Sequence, residues 1–172
     1  MAALFHWLDR AIMWAMGIVV IVTSLAVTVL ILFLVLARFV LDWSVVGVLE
    51  LATLSAMWLY MSGAVIAARN RQHLVVDFLS LSLPSPRAKA LHDLAISMIM
   101  VLLSVFFIGL ARDMVNWSIA RPQTTAALSL PLMIPQSSIV LASCLFVIYA
   151  LRDLVLAARV VLGFSTPETG EI

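Results

Sequence analysis

From Ala11 to Ala37 the chain carries no ionisable side chain. As a helix rising 1.5 Å per residue, that run reaches about 40 Å, more than the roughly 30 Å of a bilayer's hydrocarbon core. Such a run needs either a large protein interior or a membrane around it. A chain of 172 residues, 65% hydrophobic and 11% charged, cannot supply the interior. Soluble domains hold roughly 45–50% apolar and about 25% charged residues, and a short chain has too little polar surface to cover this excess. The net charge of +1 excludes nucleic-acid binding through a basic face. The single cysteine, Cys144, excludes a disulfide framework, a CxxC redox pair and a thiolate metal cage. The chain reads as an integral membrane protein.

The ten basic and nine acidic residues divide it into four candidate spans, at about 11–37, 43–68, 88–111 and 136–158. The second is interrupted only by Glu50, and the third is free of charge from Leu94 to Ala111. Gln136, Ser137 and Ser138 offer capping groups for a fourth helix that starts after Pro135. The expected fold is all-α, with four transmembrane helices in a single membrane domain over residues 1–172. The first span is nearly twice the length of a signal-peptide core and no Ala-x-Ala-like site follows it, so it is read as retained. With both termini cytoplasmic, Arg10, Arg69, Arg71, Arg87, Lys89, Arg152 and Arg159 lie inside, against Arg38, Arg112 and Arg121 outside. That is the bias expected of basic residues. Trp7, Trp14, Trp43 and Trp117 fall near the water–lipid boundaries, whereas Trp58 falls near mid-membrane.

Between the second and third spans, residues 69–83 read RNRQHLVVDFLSLSL. On a helical wheel Arg69, Asn70, His73, Asp77 and Ser80 share one arc, and leucines, valines and Phe78 fill most of the rest. This predicts an amphipathic helix lying in the membrane interface, apolar side down. Arg69, His73 and Asp77 recur every four residues, which suits a docking or proton-handling site and equally a solvated polar face.

The second span carries two specialised faces. Gly47, Leu54, Met57, Met61, Ala64 and Ala68 share a side with Glu50, and Ala52, Ser55, Ala56, Gly63 and Ala67 line the other. Small residues four apart let helices approach closely in lipid, so this helix is expected at the centre of the bundle. A carboxylate in hydrocarbon must face protein or water, so Glu50 is either a coupling carboxylate or a polar anchor near the outer boundary. Residues 112–135 form the expected outer loop, punctuated by Pro122, Pro131 and Pro135. The sequence holds no HExxH, GxSxG or glycine-rich phosphate loop, and no histidine pair placed for haem. No catalytic, cofactor-binding or metal-ligating residue is therefore expected, and the chain is not read as an enzyme.

The stretch LELATLSAMWLYMSGAVIAARNRQHLVVDFL, residues 49–79, resembles the small membrane subunit of tripartite ATP-independent periplasmic (TRAP) transporters. The likeness rests on Glu50, Trp58, Gly63, Arg69 and the run His73-Leu74-Val75-Val76-Asp77, together with TTAALSLPLMIP and its Pro131 before the last helix. One departure is the Gln136-Ser137-Ser138 that follows Pro135, where the family's pattern would place a Pro-Leu-Gly further along the fourth helix. The resemblance implies a bacterial inner-membrane complex that imports organic acids with sodium. Its partners would be a large multi-spanning membrane subunit, a secreted substrate-binding protein and the bilayer. This chain would brace the large subunit. On that basis Glu50, Trp58, Gly63, Arg69, His73, Asp77 and Pro131 are expected to be structural or partner contacts. Two other readings compete: a self-sufficient homo-oligomeric transporter using Glu50, and a membrane anchor for a redox complex.

Overall fold

The computed structural model describes residues 2–70 and 86–162. Four helices account for nearly all of them: α1 (Ala2–Phe39), α2 (Val46–Arg69), α3 (Pro86–Ala120) and α4 (Met133–Val161). Each is long and apolar enough to cross a membrane. The interfacial helix expected over 69–83, with His73 and Asp77, lies outside the described residues apart from Arg69 and Asn70.

The helices run up and down, so that Asp9, Arg69 and Arg152 gather at one end of the bundle and Glu50 and the α3–α4 connection at the other. α1 packs on α2, α2 on α4 and α4 on α3, which puts α2 and α4 in the middle. Asp42 makes the turn from α1 to α2 with φ 53°, a left-handed conformation that aspartate tolerates better than most residues.

The core is built from small side chains. Met16, Val65, Ala68, Ala142 and Tyr149 form its buried cluster, and Ser62, Ser104, Ser118, Ser138 and Ser143 are buried with them. Lipid is as apolar as leucine, so helices gain from close van der Waals contact more than from hydrophobic drive, and alanine and serine permit that contact. The Ser104, Ser138 and Ser143 hydroxyls donate to carbonyls three residues back, at 2.9, 2.6 and 2.8 Å, so their burial leaves no donor unsatisfied. Phe107 and Phe146, with ring centroids 5.9 Å apart and planes tilted by 47°, join α3 to α4. Large apolar side chains from Ile18 to Phe39 and from Leu91 to Leu110 point outward, as lipid-facing positions do.

Three boundaries differ from the sequence expectation. α1 starts nine residues before Ala11, because hydropathy marks the apolar stretch while nothing between Ala2 and Arg10 breaks a helix. α3 continues through Arg112–Ala120, a segment expected in the outer loop, since its first breaker is Pro122. α4 begins at Met133, with Pro135 inside its first turn, where the missing amide proton costs nothing. Ser137 and Ser138 consequently do not cap it. Their hydroxyls donate back to the Ile134 and Pro135 carbonyls, and Leu132 holds the cap position with no side-chain bond.

Candidate functional site

The connection between α3 and α4 is a compact hairpin. Thr125 N–H donates to Leu130 O at 2.9 Å, Leu132 N–H to Gln123 O at 3.0 Å, and Leu130 N–H to Thr125 Oγ1 at 3.1 Å. Thr124 and Pro131 pair as an isolated antiparallel bridge, and Ser129 takes φ 52° to close the turn. Within that turn the amides of Ala127 and Leu128 point away from the hairpin's own carbonyls.

Glu50 meets them. Its Oε1 accepts from Ala127 N–H at 2.7 Å and its Oε2 from Leu128 N–H at 3.0 Å. One carboxylate thus occupies two backbone donors that would otherwise need water, and it ties the hairpin to the first turns of α2. Glu50 engages neither Arg38 nor Asp42; the partner is a loop, met through the backbone amides of Ala127 and Leu128 with the Thr125 hydroxyl also at the carboxylate. Gly47, one turn earlier on the same face, makes room for the hairpin. A Cβ built there would lie 3.0 Å from Leu128 Cδ2 and 3.1 Å from its Cγ. Gly47→Val should therefore push Leu128 aside and cost about 1 kcal/mol of stability through overpacking, measured by thermal unfolding in mild detergent. Gly63 is the contrast. A Cβ there meets nothing within 4 Å among the described residues, so none of the four described helices packs against that point of the small-residue face. Gly63→Ala should stabilise the isolated chain by about 0.5–1 kcal/mol, because alanine loses less backbone entropy in a helix.

Trp58 and Pro131 belong to the same region. The Trp58 indole N–H donates to Ile134 O at 3.2 Å, fastening α2 to the first turn of α4. Pro131 O accepts from Ile134 N–H at 3.1 Å and so starts that turn.

A second polar cluster closes the opposite end. Arg69, in the last turn of α2, grips Asp9 of α1 with both arms of its fork. Nε lies 3.2 and 2.9 Å from Oδ1 and Oδ2, and Nη2 lies 2.6 Å from Oδ2. Tyr149 of α4 donates its hydroxyl to Asp9 Oδ1 at 3.0 Å. Arg152 donates from Nη2 to the Arg69 carbonyl at 2.8 Å, satisfying a backbone acceptor that the end of α2 leaves open. Its guanidinium also sits 5.2 Å from the Tyr149 ring centroid and bonds Asp153 through Nε at 2.9 Å. Three helices meet in this one network.

The sequence points to Arg69, but as a neighbour of His73 and Asp77. The acid that pairs with it in the structure is Asp9, sixty positions earlier. No motif or spacing marks Asp9, Tyr149 or Arg152 as its partners. The only signal for them is an aspartate just outside the first span and a tyrosine and an arginine inside the fourth, where a polar group among apolar residues calls for a partner. Among the described residues no cluster of histidine, cysteine, aspartate and glutamate is placed to hold a metal.

Comparison with known protein families matches residues 27–160 to the DctQ component of tripartite ATP-independent periplasmic transporters. No curated protein matches the chain at a significant level.

Proposed function

The chain belongs to the DctQ component family of TRAP transporters, and from that premise we propose that it is the scaffold subunit of a sodium-coupled importer of organic acids. The family is a transporter component rather than an enzyme, and membership implies a complex with other TRAP components. In the proposed complex a secreted binding protein delivers the organic anion, a large multi-spanning subunit moves it with sodium, and this chain stabilises the large subunit. The complex sits in the bacterial inner membrane, with both termini of this chain cytoplasmic, in keeping with the distribution of arginine and lysine over its loops.

The observation that carries this reading is the commitment of Glu50. It is the only acid in α2, and both its oxygens are engaged by the backbone of the chain's own hairpin. A coupling carboxylate has to release its partners as it takes up and gives up an ion; this one holds two fixed amides. The Asp9–Arg69–Tyr149 network at the other end is internal in the same way. A chain whose strongest polar contacts join its own helices is suited to being a rigid body against which another subunit moves.

Reconstitution tests the proposal. Liposomes holding this chain alone should take up no radiolabelled C4-dicarboxylate, sialic acid, 2-oxo acid or sulfonate. Liposomes that also hold the large companion, with its binding protein outside, should accumulate one of them in a sodium gradient. Sodium-driven uptake by this chain alone would overturn the reading in favour of a self-sufficient transporter.

A further inference from the structure

Tyr60 stands near the middle of α2. Ten positions separate it from Glu50 and nine from Arg69, the residues bound into the polar networks at the two ends of that helix. At 1.5 Å per residue it lies about 14–15 Å along the helix from either network, inside the apolar layer. Yet Tyr60 is 66% exposed, and its hydroxyl has no hydrogen-bond partner among the described residues. We propose that Tyr60 marks the docking face for one transmembrane helix of the large companion subunit, which presents an oxygen acceptor to the Tyr60 hydroxyl. The inference rests on the reading of this chain as a scaffold and names the face that does the bracing.

The first argument is the unmet donor. Thr23, Thr28 and Thr53 return their hydroxyl protons to carbonyls of their own helices, at 2.6, 2.9 and 2.9 Å. A tyrosine carries its hydroxyl at the far end of a ring, out of reach of its own helix, so it needs an acceptor elsewhere. Trp58 and Tyr149 find theirs across the bundle, in the Ile134 carbonyl and Asp9. Tyr60 points away from the bundle. Acyl chains have no acceptor to offer at this depth, whereas a neighbouring helix can supply one from a side chain or a freed carbonyl.

The second is shape. On a helical wheel Leu49, Thr53, Tyr60 and Ala67 share one side of α2, and Leu49 and Thr53 are exposed as Tyr60 is. The buried Ala52, Ser62, Val65 and Ala68 lie round the rest of the helix, where α1 and α4 pack. Ala56, Gly63, Ala64 and Ala67 flank Tyr60 above and below, and the space beside Gly63 is open. The ring therefore projects from a shallow surface that a helix can approach closely.

A second copy of this chain fits that surface less well. Two copies in one membrane are related by a twofold axis along its normal, so Tyr60 would meet its own counterpart at equal depth. The two rings would hold the helices apart and leave the small residues around them without contact. A different sequence can set an acceptor against the ring and larger apolar side chains against the alanines and Gly63.

The test uses the full chain co-expressed with the large companion. With benzoylphenylalanine at position 60, ultraviolet light should join the two subunits, and mass spectrometry should place the adduct on one helix of the companion. Tyr60→Phe keeps the ring and removes the hydroxyl. It should weaken association about threefold, as one hydrogen bond between helices in lipid does, read by energy transfer between labelled subunits in liposomes. The same variant should leave thermal unfolding of the isolated chain unchanged, since no described residue bonds that hydroxyl. Gly63→Leu, which fills the open space, should weaken association about tenfold without destabilising the isolated chain. Adducts with lipid alone, or with a second copy of this chain, would overturn the proposal. So would association that both substitutions leave intact. A pair that copurifies while position 60 labels only lipid sinks this inference and leaves the proposed function standing; a pair that never copurifies sinks both.

Discussion

Asp9→Ala lowers the unfolding free energy of the purified chain by about 2–3 kcal/mol, the largest loss expected from removing any one of its polar side chains. The carboxylate accepts from Arg69 through both nitrogens of a fork and from the Tyr149 hydroxyl, and its side chain is only 14% exposed. Its removal strands a guanidinium whose alternative is partial hydration, and frees a phenol in the core cluster beside Met16 and Val65. Arg69 is 34% exposed, so water recovers part of the loss, which keeps the figure below that of a fully buried pair. Arg69→Ala should cost somewhat less than Asp9→Ala, and Arg69→Lys should recover only part, because a lysine keeps the charge without the fork. Tyr149→Phe should cost about 1 kcal/mol, one hydrogen bond with the ring still in place. The decisive measurement is a double-mutant cycle by reversible unfolding in mixed micelles. Asp9→Ala and Arg69→Ala together should cost less than their sum, and strict additivity would show that the pair contributes no coupling.

The same residues show how far this fold is legible in its sequence. The four helices are readable because lipid imposes one requirement, about 20 apolar residues per crossing, and a run such as Ala11–Ala37 declares it. Helix ends are less readable. Hydropathy reports where the environment changes, while the helix stops where a proline or an unsatisfied amide stops it; hence α3 runs on to Ala120 and α4 starts two residues before Pro135. The central place of α2 is readable from its two specialised faces, yet the open space beside Gly63 shows that the described helices use only part of the small-residue surface. Glu50 draws attention because acids are rare in spans, but its partners stand 77 and 78 positions away on a loop whose shape depends on Ser129 adopting a left-handed turn. Asp9 looks like an ordinary boundary charge. Its two partners lie 60 and 140 positions further on, and no local pattern joins them. Periodicity reaches a few turns along one helix; contacts between helix ends are set by how the helices stack.

Glu50→Ala should have a local effect instead. The hairpin keeps the bonds that Thr125, Leu130 and Leu132 make among themselves, so it stays folded, but it loses what fastens it to α2. Amide exchange of Ala127 and Leu128 should accelerate by about tenfold, while exchange in the middle of α2 and α4 stays as it was. Glu50→Gln retains one acceptor oxygen and should protect one of the two amides. Glu50→Asp, shorter by a methylene, should protect neither well. In the proposed sodium-coupled importer the consequence should follow the same division. The variants should lower the yield of complex recovered with the large companion and leave the sodium dependence of uptake unaltered in the complex that does form. A coupling carboxylate would behave in the opposite way: Glu50→Gln would leave assembly intact and abolish uptake. The two outcomes differ because fastening a loop requires acceptor oxygens held in place, whereas carrying an ion requires a charge that comes and goes.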